Sequence, residues 1–134
     1  MFHTTAFILL FFLSTNLSAS TDYWQGIAEE IQQHIDQANA QYAAGQPKAA
    51  KRTVMQAYFS VFEDRKMEAA LRMERGAAYA YQMEERFGSL RKAIQQGAEV
   101  QAVQRLAAEL KTAVHRDGKL LDQAGIRPNV FEVE

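Results

Sequence analysis

From residue 22 onward, apolar side chains recur every three or four positions, the period of a helix with one face turned inward. Trp24, Ile27, Ile31, Ile35, Ala38 and Tyr42 form the first stripe, with Glu29, Gln33, Asp36 and Gln37 on other faces. Asp22 stands where an N-cap belongs and Gly45 where a helix stops. Pro47 suits the first turn of a second helix, where its missing amide hydrogen costs nothing, and the pattern carries that helix to about Arg75. Its first half holds Val54, Met55, Tyr58, Phe59, Val61 and Phe62 on more than one face, which predicts neighbours on two sides. Ala77, Tyr81, Phe87, Leu90 and Ile94 mark a third helix ending at Gly97. Val100, Val103, Leu106, Leu110, Val114 and Leu121 mark a fourth ending at Gly125, with Gly118 as an earlier break point.

No segment alternates β-branched and polar residues between turn signals. The fold class that follows is all-α, an antiparallel up-down four-helix bundle over residues 21–125 with a C-terminal tail over residues 126–134. Short links at Gly45 and Gly97 favour antiparallel neighbours, and the turn near Arg75 and Gly76 is the least sharply marked.

The first twenty residues read differently. Ala6 to Leu13 is an unbroken apolar run, too short to span a bilayer, and it leads into the small residues Ser18, Ala19 and Ser20. This is the layout of a cleaved signal peptide, residues 1–20, with cleavage after Ser20 or, second, after Ala19. The segment before the run carries no Lys or Arg, a departure from the usual pattern. The expectation is a periplasmic or secreted protein whose mature part has no membrane span. There is no cysteine, so stability must come from the core alone and no thiolate site or covalent haem attachment is available. A net charge of −1 removes the electrostatic basis for nucleic-acid binding.

Catalytic signatures are missing: the sequence holds no nucleophile elbow, no phosphate-cradling glycine loop and no His-Glu-x-x-His, and the expectation is a protein that is not an enzyme. Carboxylates, methionines and two histidines of the mature part remain. Glu30 and His34 lie one turn apart and supply half a metal site, or else a rim pair. His115, beside Arg116 and Asp117, reads as a surface or capping residue. Met55, Met67, Met73 and Met83 read as core filler, so no haem is expected. Glu63 is the most informative carboxylate. Helical phase puts it on the stripe of Phe59 and Met67, where burial would raise its proton affinity unless a cation compensated it. The alternative is an edge residue paired with Arg65 or Lys66.

The run Tyr58-Phe59-x-x-Phe62-Glu63-x-x-x-Met67-Glu68, followed by Glu85-Arg86-Phe87, resembles the extracytoplasmic helical region of bacterial Ftr-type iron permeases. The likeness spans roughly Gln41 to Leu110 and includes Tyr42-x-x-Gly45 and the alanines at 49 and 50. It implies Glu63, Glu68 and Glu85 as oxygen ligands for an iron ion, with Tyr58 orienting or covering them; Met67 is a candidate supporting position, and Glu30 with His34, outside the span of the likeness, remains a candidate alternative site from its spacing alone. Lys66 departs from the pattern, which has glycine there, and this puts close helix packing in question. Neither a membrane span after the signal nor the Arg-Glu-x-x-Glu translocation motif is present. The resemblance therefore implies a soluble, stand-alone relative of the external domain, an iron-binding or iron-delivery accessory protein acting beside a membrane iron permease or another periplasmic uptake component. The competing expectation is a metal-free helical module that docks on a protein partner.

Export is directly testable. Mass spectrometry of the protein recovered from the periplasm or medium should find an N-terminus at Thr21 or Ser20, and an exported species that retains Phe2 would contradict the signal peptide.

Overall fold

The computed structural model describes residues 22–132. The expected signal peptide and the last two residues of the expected tail lie outside the described residues. Within them the chain is all-helical, with α1 (Tyr23–Ala43), α2 (Pro47–Gln56), α3 (Met67–Arg75), α4 (Ala77–Gln95) and α5 (Val100–Gln123). A wide π-helical segment, Ala57–Glu63, continues α2, and a short 3-10 turn, Pro128–Phe131, follows α5. No strand occurs among the described residues, and no helix there is long and apolar enough to cross a membrane.

The seam between α1 and α5 is the most heavily bonded. Trp24 is fully buried at the start of α1 and donates its indole N–H to the Ile126 carbonyl at 2.7 Å. Asp22 occupies the N-cap position but makes no capping bond with its side chain. Asp122, almost a hundred residues away, does that work: its carboxylate accepts the backbone N–H groups of Trp24 at 2.9 Å and Gln25 at 3.0 Å, and also the Gln25 amide. Amides left free at a helix N-terminus need such an acceptor, and a negative charge also suits that end of the helix dipole. At the other end of the seam, the Tyr42 hydroxyl reaches the Ala98 carbonyl. The two helices thus run antiparallel over their whole length.

Gly118 does not break α5. It is buried within it, and a Cβ there would lie 2.9 Å from the Trp24 carbonyl oxygen and 3.0 Å from Ala28 Cβ. Its small size lets the helices touch. The chain after α5 packs back on the same place, Phe131 meeting Trp24 edge-on at 6.5 Å between ring centroids.

Ile27, Ile31 and Ile35 of α1 meet Val103, Leu110, Val114 and Leu121 of α5 in one continuous core with residues from every other helix. On the far side, Tyr79 near the start of α4 donates to Asp117 near the end of α5 at 2.6 Å, and Arg116 donates to the Tyr79 oxygen at 2.8 Å. This pairing makes α4 and α5 antiparallel as well.

The predicted second helix is broken, which is why five helices stand where periodicity predicts four. After α2 the bonding widens to i→i+5, as in Asp64 N–H to the Phe59 carbonyl at 3.1 Å, and the chain then turns through Asp64–Lys66. Lys66 sits at φ 69°, ψ 16°, the left-handed region that L-residues with a Cβ avoid. The turn changes the helical phase, so the expected stripe of Phe59, Glu63 and Met67 does not exist: Met67 is buried in the core while Phe59 and Glu63 are exposed. Tyr81, expected on the inner stripe of the third helix, is also exposed.

Two stability measurements test these assignments. Asp122→Ala should lower the free energy of unfolding by about 1–2 kcal/mol, the usual effect of losing an N-cap, whereas Asp22→Ala should change it little; denaturant melts of both variants decide. Lys66→Gly should raise stability by about 0.5–1 kcal/mol, because relief of a left-handed conformation worth about 1–2 kcal/mol exceeds the added chain entropy of about 0.5–1 kcal/mol. Destabilisation by glycine would mean that Lys66 is held there by contacts of its side chain.

Candidate functional site

The break in the second helix positions the site. The π-helical segment carries Tyr58, Phe59, Phe62 and Glu63, and α3, resuming after Lys66, carries Glu68 and Arg72 in its first two turns. Insertions that widen a helix turn are frequent at functional sites, since they re-aim side chains that a regular helix would space evenly. Here the rings of Tyr58 and Phe62 close on Phe87 of α4, with centroid separations of 5.3 and 4.9 Å. These contacts pin α4 so that Glu84 faces Glu68.

Glu68 receives a hydrogen bond from Arg72 at 2.8 Å, and the same guanidinium nitrogen lies 3.6 Å from Glu84. Arg72 therefore bridges two carboxylates. Burial raises the proton affinity of Glu84 first, followed by a hydrogen bond with Glu68 and the charges of Glu68 and Glu63, with Arg72 acting in the opposite direction. The Tyr58 hydroxyl is pushed up to about 12, first by burial and then by the charges of Glu84, Glu68 and Glu63, so it remains a neutral donor at any physiological pH. Tyr58 is thus the point on which three carboxylates act.

Glu63 and Glu68 are two of the expected ligands, and both belong to this group. The third expected ligand, Glu85, does not: it is exposed and contacts Tyr81 one turn back, while its neighbour Glu84 takes the inward position. Adjacent helical residues point about 100° apart, so a one-residue difference moves a carboxylate to another face. Glu30 and His34 do not act together as side chains. The Glu30 carboxylate pairs with Arg65 at 3.2 Å, and His34 Nδ1–H donates to the Glu30 backbone carbonyl at 2.9 Å. Arg65 is thereby engaged with α1 rather than with Glu63. Met67 and Met83 fill the core, Met55 and Met73 are exposed, and His115 lies on the surface.

Beside the carboxylates runs a groove of about 310 Å³ between α2 with its π-helical continuation and α4, floored by Val54, Tyr58 and Phe87 and edged by Met55 and Phe59. Glu84 and Arg91 stand along it, with Gly88 between them.

The arrangement already holds one cation, the Arg72 guanidinium. Two carboxylates share one guanidinium, a third stands nearby, and a neutral phenol donor lies beneath. Among the described residues no three His, Cys, Asp or Glu side chains are close enough to hold one metal ion together.

Compared with protein-family models, with curated proteins and with solved structures, the chain matches none of them.

Proposed function

We propose that the chain is an exported, non-enzymatic iron-binding or iron-delivery accessory protein of an Ftr-type uptake system, working beside a membrane iron permease. The observation that carries this reading is the helix break at Asp64–Lys66, which turns Glu68 toward Glu84 while Glu63 and Tyr58 stay beside them. A strained backbone that gathers like charges costs stability, and such features concentrate where a site needs them. The left-handed Lys66 also supports the resemblance at the one position that departs from it. The permease pattern has glycine there, and a positive φ is what glycine accommodates.

In this reading the carriers are Glu63, Glu68 and Glu84, the last replacing the expected Glu85, and Tyr58 donates to whichever carboxylate is not engaged. Iron is cargo rather than a resident cofactor. Carboxylate and phenol oxygens suit hard or borderline iron ions. An arginine that already bridges the carboxylates competes with the ion, which suits a carrier that must release what it takes. We further propose that α2, the π-helical segment and α3 act as one broken rod, giving with α1, α4 and α5 an up-down four-rod bundle behind a cleaved signal peptide.

Calorimetric titration of the purified protein with ferrous, ferric, copper and manganese ions tests the assignment. Wild type should bind iron, and Glu63→Gln and Glu84→Gln should each weaken binding by about tenfold or more, the equivalent of losing a contact to a charged group worth about 1.5–3 kcal/mol. Glu29→Gln, on the exposed face of α1, should bind like wild type. Since folding raises the proton affinity of Glu84, protonation favours the fold at acid pH and that contribution is lost as pH rises. Cargo binding should run the other way, strengthening as pH rises through the titration of Glu84. Equal affinity in wild type and both variants, or none in any, would reject the carrier and leave the metal-free docking module.

A further inference from the structure

The groove between α2 and α4 is flanked by large apolar side chains that a monomer leaves in water. Phe59 is 53% exposed and Met55 36% exposed, and both edge the same groove. Its charged residues stand on either side of a glycine. Glu84, Gly88 and Arg91 occupy positions i, i+4 and i+7 of α4, one stripe along the helix, with opposite charges about 10 Å apart on either side of a glycine. Glycine inside a helix is destabilising relative to alanine, so its presence calls for a reason. Packing within this chain does not supply one: a Cβ at Gly88 would meet nothing within 4 Å. The space is on the outside, over the groove.

A second α4 laid antiparallel across the first, about a two-fold axis beside Gly88 and midway between Glu84 and Arg91, uses all of these features at once. The axis sets Glu84 of one copy opposite Arg91 of the other, and the same pairing repeats on the far side of the axis, as an isologous interface requires. The two Gly88 residues flank the axis, where the helices are closest, and Phe59 and Met55 of each copy then lie toward the groove of its mate. Within one copy these charges are unbalanced. Among the described residues no carboxylate pairs with Arg91, while Glu84 shares a single guanidinium with Glu68. We infer that this face is the interface of a homodimer in which α4 packs against α4 of a second copy through reciprocal Glu84–Arg91 pairs across Gly88. The interface rests on the groove and its charge pattern, and needs no metal.

Sedimentation velocity of the purified protein in chelator-containing buffer, over a range of concentrations, tests it, with circular dichroism confirming that each variant is folded. Wild type should dimerise. Arg91→Glu and Glu84→Arg should each be monomeric, because each places like charges opposite one another. Mixed in equal amounts, the two variants should associate with each other, since one of the two pairings is then native and the other has its charges exchanged, so that opposite charges face each other on both sides of the axis. Neither a small ligand nor an unrelated partner in the groove would produce that rescue. Gly88→Leu, whose Cβ meets nothing within 4 Å in the free chain, should fold and remain monomeric. A wild-type protein that stays monomeric to millimolar concentration, or Arg91→Glu and Gly88→Leu proteins that dimerise like wild type, would overturn the interface. Because metal is chelated throughout, failure of the iron reading would leave this result standing, and failure of the dimer would leave the titrations unaffected.

Discussion

Everything in this fold hangs on how closely α1 and α5 approach. Gly118 lets the Trp24 backbone come to van der Waals contact with α5, and only at that distance can Asp122 take the first amides of α1. Burying Trp24 in the same place contributes the larger energy, about 3–5 kcal/mol on the scale of large aromatic truncations. The Asp122 bonds contribute direction instead. A carboxylate that accepts two successive backbone amides fixes the rotation of α1 about its own axis, and with it the set of residues, Ile27, Ile31 and Ile35, that faces the core. The antiparallel α1–α5 pair then presents a continuous apolar wall against which the other helices pack.

Against that wall the second helix cannot stay regular. Ala57, Val61 and Phe62 must face the core from the π-helical segment, and Met67, Ala70 and Leu71 must face it from α3. A regular α-helix through Arg75 would not keep both sets inward. The wide turns and the left-handed Lys66 reset the phase between them. The energetic loss at Lys66 is small beside the burial of Phe62, Met67 and Leu71, each worth about 1.5–3 kcal/mol. Its by-product is the geometry of the candidate site: the reset exposes Phe59 and Glu63 and brings Glu68 toward Glu84.

Helical class, the termini of most helices and the apolar face of α1 were legible in the sequence, because each depends on residues within a few turns of one another. Gly45 and Gly97 stop their helices with positive φ, as a local signal should. What was not legible depends on partners distant in sequence. Asp22 has the position of a cap because it is adjacent, but the capping carboxylate is Asp122. Gly118 has the sequence signature of a break because glycine is a poor helix former, and the close approach that explains it lies on another helix. At the candidate site, Glu63, Glu68 and Tyr58 could be picked out, whereas the choice of Glu84 over Glu85 depends on how α4 is rotated by Tyr58 and Phe62 pressing on Phe87.

The two proposals meet at Glu84. In one, its carboxylate helps to hold a cation from solution, and in the other it faces Arg91 of a second copy. Arg72 already holds part of its charge. A carboxylate between two cations gains less from each than from either alone, so the two events are coupled through one side chain and the sign of the coupling is unfavourable. Reciprocity then fixes the consequence: whatever factor cargo imposes on association, association imposes on cargo affinity. Displacement of Arg72 by cargo would modify this coupling without removing it, since the guanidinium would leave Glu68 and Glu84 together. On the two proposals taken together, dimer formation would favour release of the cargo through the same carboxylate that captures it.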